Sequence, residues 1–332
     1  MSYWEPYMSK VHPILEPCLK DLSTIESVLS DHFKSYVPFI TEVSSYILFA
    51  GGKRLRPLLT VLAARLCGRH DQQVYELSAV PEYLHVASLL HDDVVDAGEL
   101  RRGRPPAYKK WGNKAAILTG DFLYARAIYL ASNFGDVRIA STIAKTVSLM
   151  AEGEVLQLLR AKTIDFDENT YNDVIYRKTA ALIHASCKIG ALWAGAEEKK
   201  IVALEEYGIK LGLAFQMIDD LLDYTADTSE LGKKTGTDLA EGKITLPVVI
   251  AFQRVDERDR RYLKRLFESK IVLDKDFDRV KDILLDTGAA TYTKEKAKEL
   301  IDDACEGLSC FAQVKEKRVL EDIARYVIER RK

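Results

Sequence analysis

The sequence predicts an all-α protein, and three observations carry that reading. Proline is absent between Pro106 and Pro247 and again after Pro247. The long segments so defined are rich in Ala, Leu, Glu, Lys and Ile, mostly good helix formers, whereas proline is the strongest helix breaker. Apolar residues recur at helical spacing, as in Val202, Leu204 and Tyr207, then Leu211, Ala214, Phe215 and Ile218. Alternating strand patterns closed by Asn-Gly or Asp-Gly turns are missing. The expected breaks are Ser35–Pro38, Gly98–Pro106, Asn133–Gly135, Thr163–Thr170 and a longer one from Thr225 to Gly242. No Ser/Gly-rich linker divides the chain, so residues 1–332 are read as one domain.

Composition narrows the class. The 332 residues are 47% hydrophobic and 30% charged, with a formal net charge of -2. That describes an ordinary globular protein with no basic field to attract nucleic acid. No apolar run approaches the roughly 20 residues needed to cross a bilayer, and the start MSYWEPYMSK lacks the layout of a signal peptide. Cys18, Cys67, Cys187, Cys305 and Cys310 are scattered, odd in number and never spaced C-x-x-C. They read as reduced thiols of a cytoplasmic protein.

Two copies of D-D-x-x-D stand out: Asp92-Asp93-Val94-Val95-Asp96 and Asp219-Asp220-Leu221-Leu222-Asp223. Each follows an apolar run and precedes a loop, placing it at a helix C-terminal end. Carboxylates crowded there repel one another and are costly to bury. Helical spacing turns Asp92 with Asp96, and Asp219 with Asp223, onto one face, with Asp93 and Asp220 toward its edge. Ligands that are all oxygen suit Mg²⁺, or Mn²⁺, better than zinc or copper. Mg²⁺ commonly takes one or two carboxylates plus phosphate oxygens. Two motifs suggest more than one ion.

Cationic segments supply the complementary half. Gly51-Gly52-Lys53-Arg54-Leu55-Arg56-Pro57 is a glycine turn feeding a basic helix start. Arg101-Arg102-Gly103-Arg104 follows the first acidic motif, and Lys233 and Lys243 flank the loop after the second. Together they suggest two anion sites, one bridged by metal and one held by Lys and Arg directly. Gly236 to Lys243 is one residue too long for a P-loop and is followed by Ile244, so that reading fails. Glu82-x-x-His85 lacks the second copy that a di-iron bundle needs, because Ala181 stands at the matching place before His184. From spacing alone His85 is equally a substrate contact and a core histidine.

In order, GGKRLRP, LLHDDVVD with RRG, GEVLQ, YRKTA, FQMIDDLLDY and GKKTGTDLAEGKITLP resemble the trans-type (E) isoprenyl diphosphate synthases, over about Gly51 to Pro247. The resemblance implies a large bundle of antiparallel helices around a deep central cavity, a homodimer, and head-to-tail condensation of isopentenyl diphosphate with an allylic diphosphate. It makes Asp92, Asp96, Asp219, Asp220 and Asp223 the Mg²⁺ ligands, with Asp93 in support. It assigns Arg101, Lys178, Thr179, Gln216, Lys233 and Lys243 to the allylic diphosphate. Gly52, Lys53, Arg56, His85 and Arg102 fall to isopentenyl diphosphate. Asp92, Asp93, Asp96, Lys178, Asp219, Asp220 and Lys233 are the residues expected to carry catalysis. The basic end Arg330-Arg331-Lys332 resembles family termini that close over the second site.

Product length is read from the turn before Asp92. Ala87 and Ser88 lie five and four residues earlier, about 6–7.5 Å back along the axis. In the family, bulky residues here mark short-chain enzymes. Small ones leave the tunnel open, so a long-chain product of octaprenyl or solanesyl type is expected. Phe122, Tyr124, Tyr129 and Phe134 are candidate floors that would shorten it to farnesyl or geranylgeranyl length. A class I terpene cyclase fits less well, because it usually carries a different second metal motif and has no need of GGKRLRP. A head-to-head synthase would be expected to carry a membrane tail. A non-catalytic subunit of a heteromeric synthase typically loses acidic motifs that are complete here. Transient membrane association is left open as a route for product release.

Overall fold

The computed structural model describes residues 13–226, 236–269 and 272–330. Every named element among them is helical. Among the described residues the only β-type pairing is an isolated bridge between Arg101 and Arg104. A 3₁₀ turn (Pro13–Cys18) leads into α1 (Leu19–His32), α2 (Pro38–Leu48), α3 (Leu55–Leu66), α4 (Gln73–Val95), α5 (Ala107–Trp111), α6 (Asn113–Ser132) and α7 (Val137–Thr163). Then come α8 (Glu168–Ile175), a π-helical turn (Tyr176–Ala180), α9 (Ala181–Trp193), α10 (Glu198–Thr225), α11 (Thr237–Ala240) and α12 (Leu246–Arg254). The chain ends with α13 (Glu257–Ser269), α14 (Asp274–Asp286), α15 (Ala289–Gly307), a 3₁₀ turn (Leu308–Cys310) and α16 (Lys315–Glu329). The expected breaks at 35–38, 98–106, 133–135 and 163–170 fall between helices or at their ends. Pro38 and Pro247 open α2 and α12, where a missing N–H costs nothing. Pro81, inside α4, departs from that rule and is buried there.

The chain divides into two compact units, Met1–Val147 with Leu182–Glu205 and Cys310–Asp322, and Ser148–Ala181 with Glu206–Ser309 and Ile323–Lys332. In the first unit α4 packs on α6, α3 and α1. Its core includes Leu22, Ile25, Leu29, Leu58, Leu59, Leu77, Tyr83 and Leu84, all at most 1% exposed. In the second, α12 packs on α15, α14 and α13. Tyr207, Leu211, Tyr224 and Leu246 are fully buried there. No described helix is long and apolar enough to cross a membrane, and all five cysteines are free.

One polar cluster pins the loop that opens α3. Arg54, in a left-handed conformation (φ 48) and 3% exposed, donates from Nε to Glu26 (2.6 Å), from Nη1 to Glu82 (2.7 Å) and from Nη2 to the Leu48 carbonyl (2.6 Å). Burial alone would lower its pKa, but Glu82 and Glu26 push it above the ordinary arginine value. Arg54 thereby ties the Gly51–Lys53 turn to α1 and α4. Arg54→Met leaves two carboxylates facing an apolar stem. It should cost about 3–5 kcal/mol of unfolding free energy, read by urea denaturation, and a loss below about 1 kcal/mol would contradict this role.

Candidate active site

In the first unit, α4 ends at Val95, and the Asp96 N–H caps back onto the Asp92 carbonyl at 2.8 Å. Asp96 is exposed, Asp92 half-buried and Asp93 2% exposed. The buried member is thus the one that spacing placed at the edge of the face. Its reason is Arg101, which donates from Nε at 2.8 Å and from Nη2 at 2.6 Å to Asp93 Oδ1. Asp93 Oδ2 is buried with no hydrogen-bond partner. Three carboxylates at the negative end of a helix macrodipole, one with an unsatisfied buried oxygen, favour a bound cation.

The Arg101–Arg104 segment is a tight turn. Backbone N–H groups of Arg101 and Arg104 donate to each other's carbonyls at 2.7 and 3.0 Å, with Arg102 (φ 51) and Gly103 (φ 74) left-handed between them. The turn carries the Arg102 guanidinium to the Gly51 carbonyl and against Gly52. His85 lies in the field of this cluster. Burial first, then Arg56, Arg102, Arg101 and Arg54, hold its pKa well below the usual imidazole range. It therefore stays neutral at physiological pH and can accept as well as donate one hydrogen bond. Gly52, Arg56, His85 and Arg102 are brought together, and exposed Lys53 sits on the same turn.

Ala87, one turn back on α4, is fully buried, and the half-buried Ser88 donates to the His85 carbonyl at 2.9 Å. His91, four residues beyond Ala87, rests 5.5 Å from the Tyr124 ring of α6. Tyr129 is 57% exposed and Phe134 packs edge-on against Trp193.

In the second unit, α10 carries the other motif. Asp219 is exposed, whereas Asp220 and Asp223 are 5% and 6% exposed. Asp220 accepts from the Tyr171 hydroxyl (2.6 Å) and from Gln216 Nε2 (2.7 Å), and Gln216 accepts from Thr179 (2.8 Å). Asp223 accepts from the Asp238 N–H at 2.9 Å. Burial raises the Asp220 pKa to about 6 despite these donors, and Asp219 adds to the rise. Asp238 is raised to about 8 by burial, then by Asp220 and Asp223. Such crowding of acids is relieved by a cation. Lys243 pairs with Glu241 and lies 3.9 Å from Asp238. Lys233 lies outside the described residues, as do Arg331 and Lys332.

Lys178 and Thr179 sit on the π turn, a widened register often found where function needs a re-aimed side chain. Two glycines allow backbone to approach it. A Cβ at Gly153 would meet the Lys178 nitrogen at 2.8 Å, and one at Gly212 would meet Ala180 Cα at 2.5 Å. Lys178 pairs with Glu154 at 2.8 Å.

Among the described residues, no three carboxylate, imidazole or thiol groups converge closely enough to cage an ion unaided. The donor set is oxygen only, which suits a hard cation that completes its shell with water and phosphate oxygens.

A family model described as polyprenyl synthetase matches residues 37–284. The chain belongs to this family. Octaprenyl diphosphate synthase of Escherichia coli (strain K12) is 35% identical over 320 residues, 96% of this chain and 98% of that protein. The crystal structure of a decaprenyl diphosphate synthase from Rhodobacter capsulatus superposes with a TM-score of 0.91 at 39% identity, covering 96% and 98% of the two chains. A polyprenyl synthase from Caulobacter crescentus, complexed with calcium and isoprenyl diphosphate, gives 0.90 at 37% identity, covering 96% and 97%. The all-α fold is therefore the isoprenoid-synthase fold, and members of this prenyltransferase family are in general metal-dependent.

The sequence did not single out Tyr171, Asp238 or Glu154. Glu154 and Asp238 stood inside quoted motifs (GEVLQ, GTDLAEGK), but Tyr171 had no motif to mark it. Asp92→Ala should lower turnover on the order of 10²–10³-fold or more with the helical circular dichroism spectrum kept. Retained activity would contradict a metal-binding role.

Proposed function

We propose that the chain condenses isopentenyl diphosphate with an allylic diphosphate such as farnesyl diphosphate, head to tail, giving a long all-trans polyprenyl diphosphate of octaprenyl type for a quinone side chain. The observation that carries this is the pairing of complete acidic motifs with the Gly52–Arg56–His85–Arg102 cluster. The first serves ionisation and the second holds a separate diphosphate. The family match spans residues of both units, and 1–332 is read as one polyprenyl synthase domain.

Asp92, Asp96, Asp219, Asp220 and Asp223 would hold Mg²⁺, with Mn²⁺ as substitute. Bound metal supplies Lewis-acid stabilisation of the leaving diphosphate. The chain's own groups do the rest. Asp93 holds Arg101, and Tyr171 and Gln216 hold Asp220, so that the carboxylates are aimed before substrate arrives. Lys178, Thr179, Gln216, Arg101, Lys233 and Lys243 bind the allylic diphosphate. Neutral His85, with Arg102, Arg56, Lys53 and the Gly52 backbone, holds isopentenyl diphosphate. Apolar helix walls keep water from the allylic cation. The final proton has a base in the released diphosphate, so no side-chain base is required.

The small side chains of Ala87 and Ser88 support the reading of a long product. Relatives named for shorter products also match, and Tyr124 and Phe122 on α6 are where a shorter limit would arise. Exposed apolar residues on α6, Ile117 (40%), Leu118 (65%), Ile128 (36%) and Tyr129 (57%), support a homodimer. Five free thiols support a cytoplasmic setting.

Purified protein with Mg²⁺, farnesyl diphosphate and labelled isopentenyl diphosphate should yield products near octaprenyl length on reverse-phase chromatography. A folded sample that incorporates nothing would favour a non-catalytic subunit. Ala87→Tyr should shift the products to farnesyl or geranylgeranyl length, and unchanged products would refute the assignment of this turn.

A further inference from the structure

The last described residue of the chain occupies the second acidic motif. Arg330 Nη2 lies 2.7 Å from Asp219 Oδ1 and donates to the Phe215 carbonyl at 2.7 Å. Its guanidinium lies 4.1 Å from the centre of the Phe215 ring. Phe215 and Asp219 are one helical turn apart on α10, so the arginine lies along one face of that helix. The Arg330 side chain is 5% exposed, while that of Asp219 keeps 45% of its surface.

Burying a guanidinium is costly unless its donors are all satisfied. Arg54 meets that condition, with Nε, Nη1 and Nη2 all bonded. Arg330 does not, because its Nε is buried without an acceptor. The Arg330–Asp219 pair is thus a cation held on a half-open carboxylate by an incomplete set of bonds.

We infer that Arg330 is a stand-in cation that neutralises Asp219 until a divalent ion loads, and that loading displaces it and frees the C-terminal end from α10. This rests on the reading of Asp219 as a metal ligand. Arg330 is then a positioning residue. It keeps Asp219 from repelling Asp220 in the empty site and couples metal occupancy to where the Arg330 side chain rests. Displacement of a monovalent guanidinium by a divalent ion is favourable where the carboxylate gains a closer, doubly charged partner.

The test uses the full-length protein and manganese(II) alone, whose free-ion spin-resonance signal reports binding without turnover. Arg330→Gln keeps an amide donor for the Phe215 carbonyl and removes the competing charge. It should bind manganese about 5- to 10-fold tighter, and Arg330→Lys should stay near wild type. Asp219→Asn should bind more weakly, which checks the metal reading by itself. Unchanged or weaker binding by Arg330→Gln, with Asp219→Asn weakened, would overturn the inference and leave the metal reading standing. Unaltered binding by Asp219→Asn would remove both. In wild type, manganese should also speed carboxypeptidase trimming of the chain end. Equal trimming with and without metal would overturn the inference even if a variant failed to fold.

Discussion

In each unit the candidate site depends on carboxylates concentrated at the C-terminal end of an apolar helix. Helix carbonyls already make that end negative, and burial penalises each added charge. The protein answers by giving each buried acid a fixed donor. Asp93 has Arg101, Asp220 has Tyr171 and Gln216, and Asp223 has the Asp238 backbone N–H. These donors leave Asp92, Asp96 and Asp219 as the more open members of the motifs. A cation would relieve that crowding, so the cost of burying these acids is itself an argument for a metal there.

The support extends beyond the carboxylates' own donors. Arg54 reaches no anion site, yet it fixes the turn that carries Gly52 and Lys53. The π turn has a comparable role in the second unit. It re-aims Lys178 and Thr179, and Gly153 and Gly212 give it room. Several of these side chains stand on a backbone feature that costs something locally: left-handed Arg54 and Arg102, and the widened helix under Lys178 and Thr179. Local strain of this kind persists where surrounding bonds over-determine it.

The helical fold and the acidic motifs were legible because their signals are local. Proline spacing and apolar periodicity do not depend on distant partners. What stayed hidden depended on such partners. Spacing alone put Asp93 and Asp220 at the edge of the ligand face, and only Arg101, Tyr171 and Gln216 explain why they are buried. Lys53, Arg54 and Arg56 look alike in the run GGKRLRP, and composition could not show that Arg54 is the one held by Glu26 and Glu82 beneath the turn. A π turn has no composition signature, since it is a change of hydrogen-bond register. The division into two units likewise left no linker to read.

The central claim is that the acidic helix ends bind metal for the sake of diphosphate. Equilibrium dialysis of the protein against manganese(II), with and without inorganic diphosphate, tests it most directly. The account predicts that diphosphate raises both the number of ions bound per chain and their affinity, because no described cluster cages an ion alone. Equal binding with and without diphosphate would contradict it.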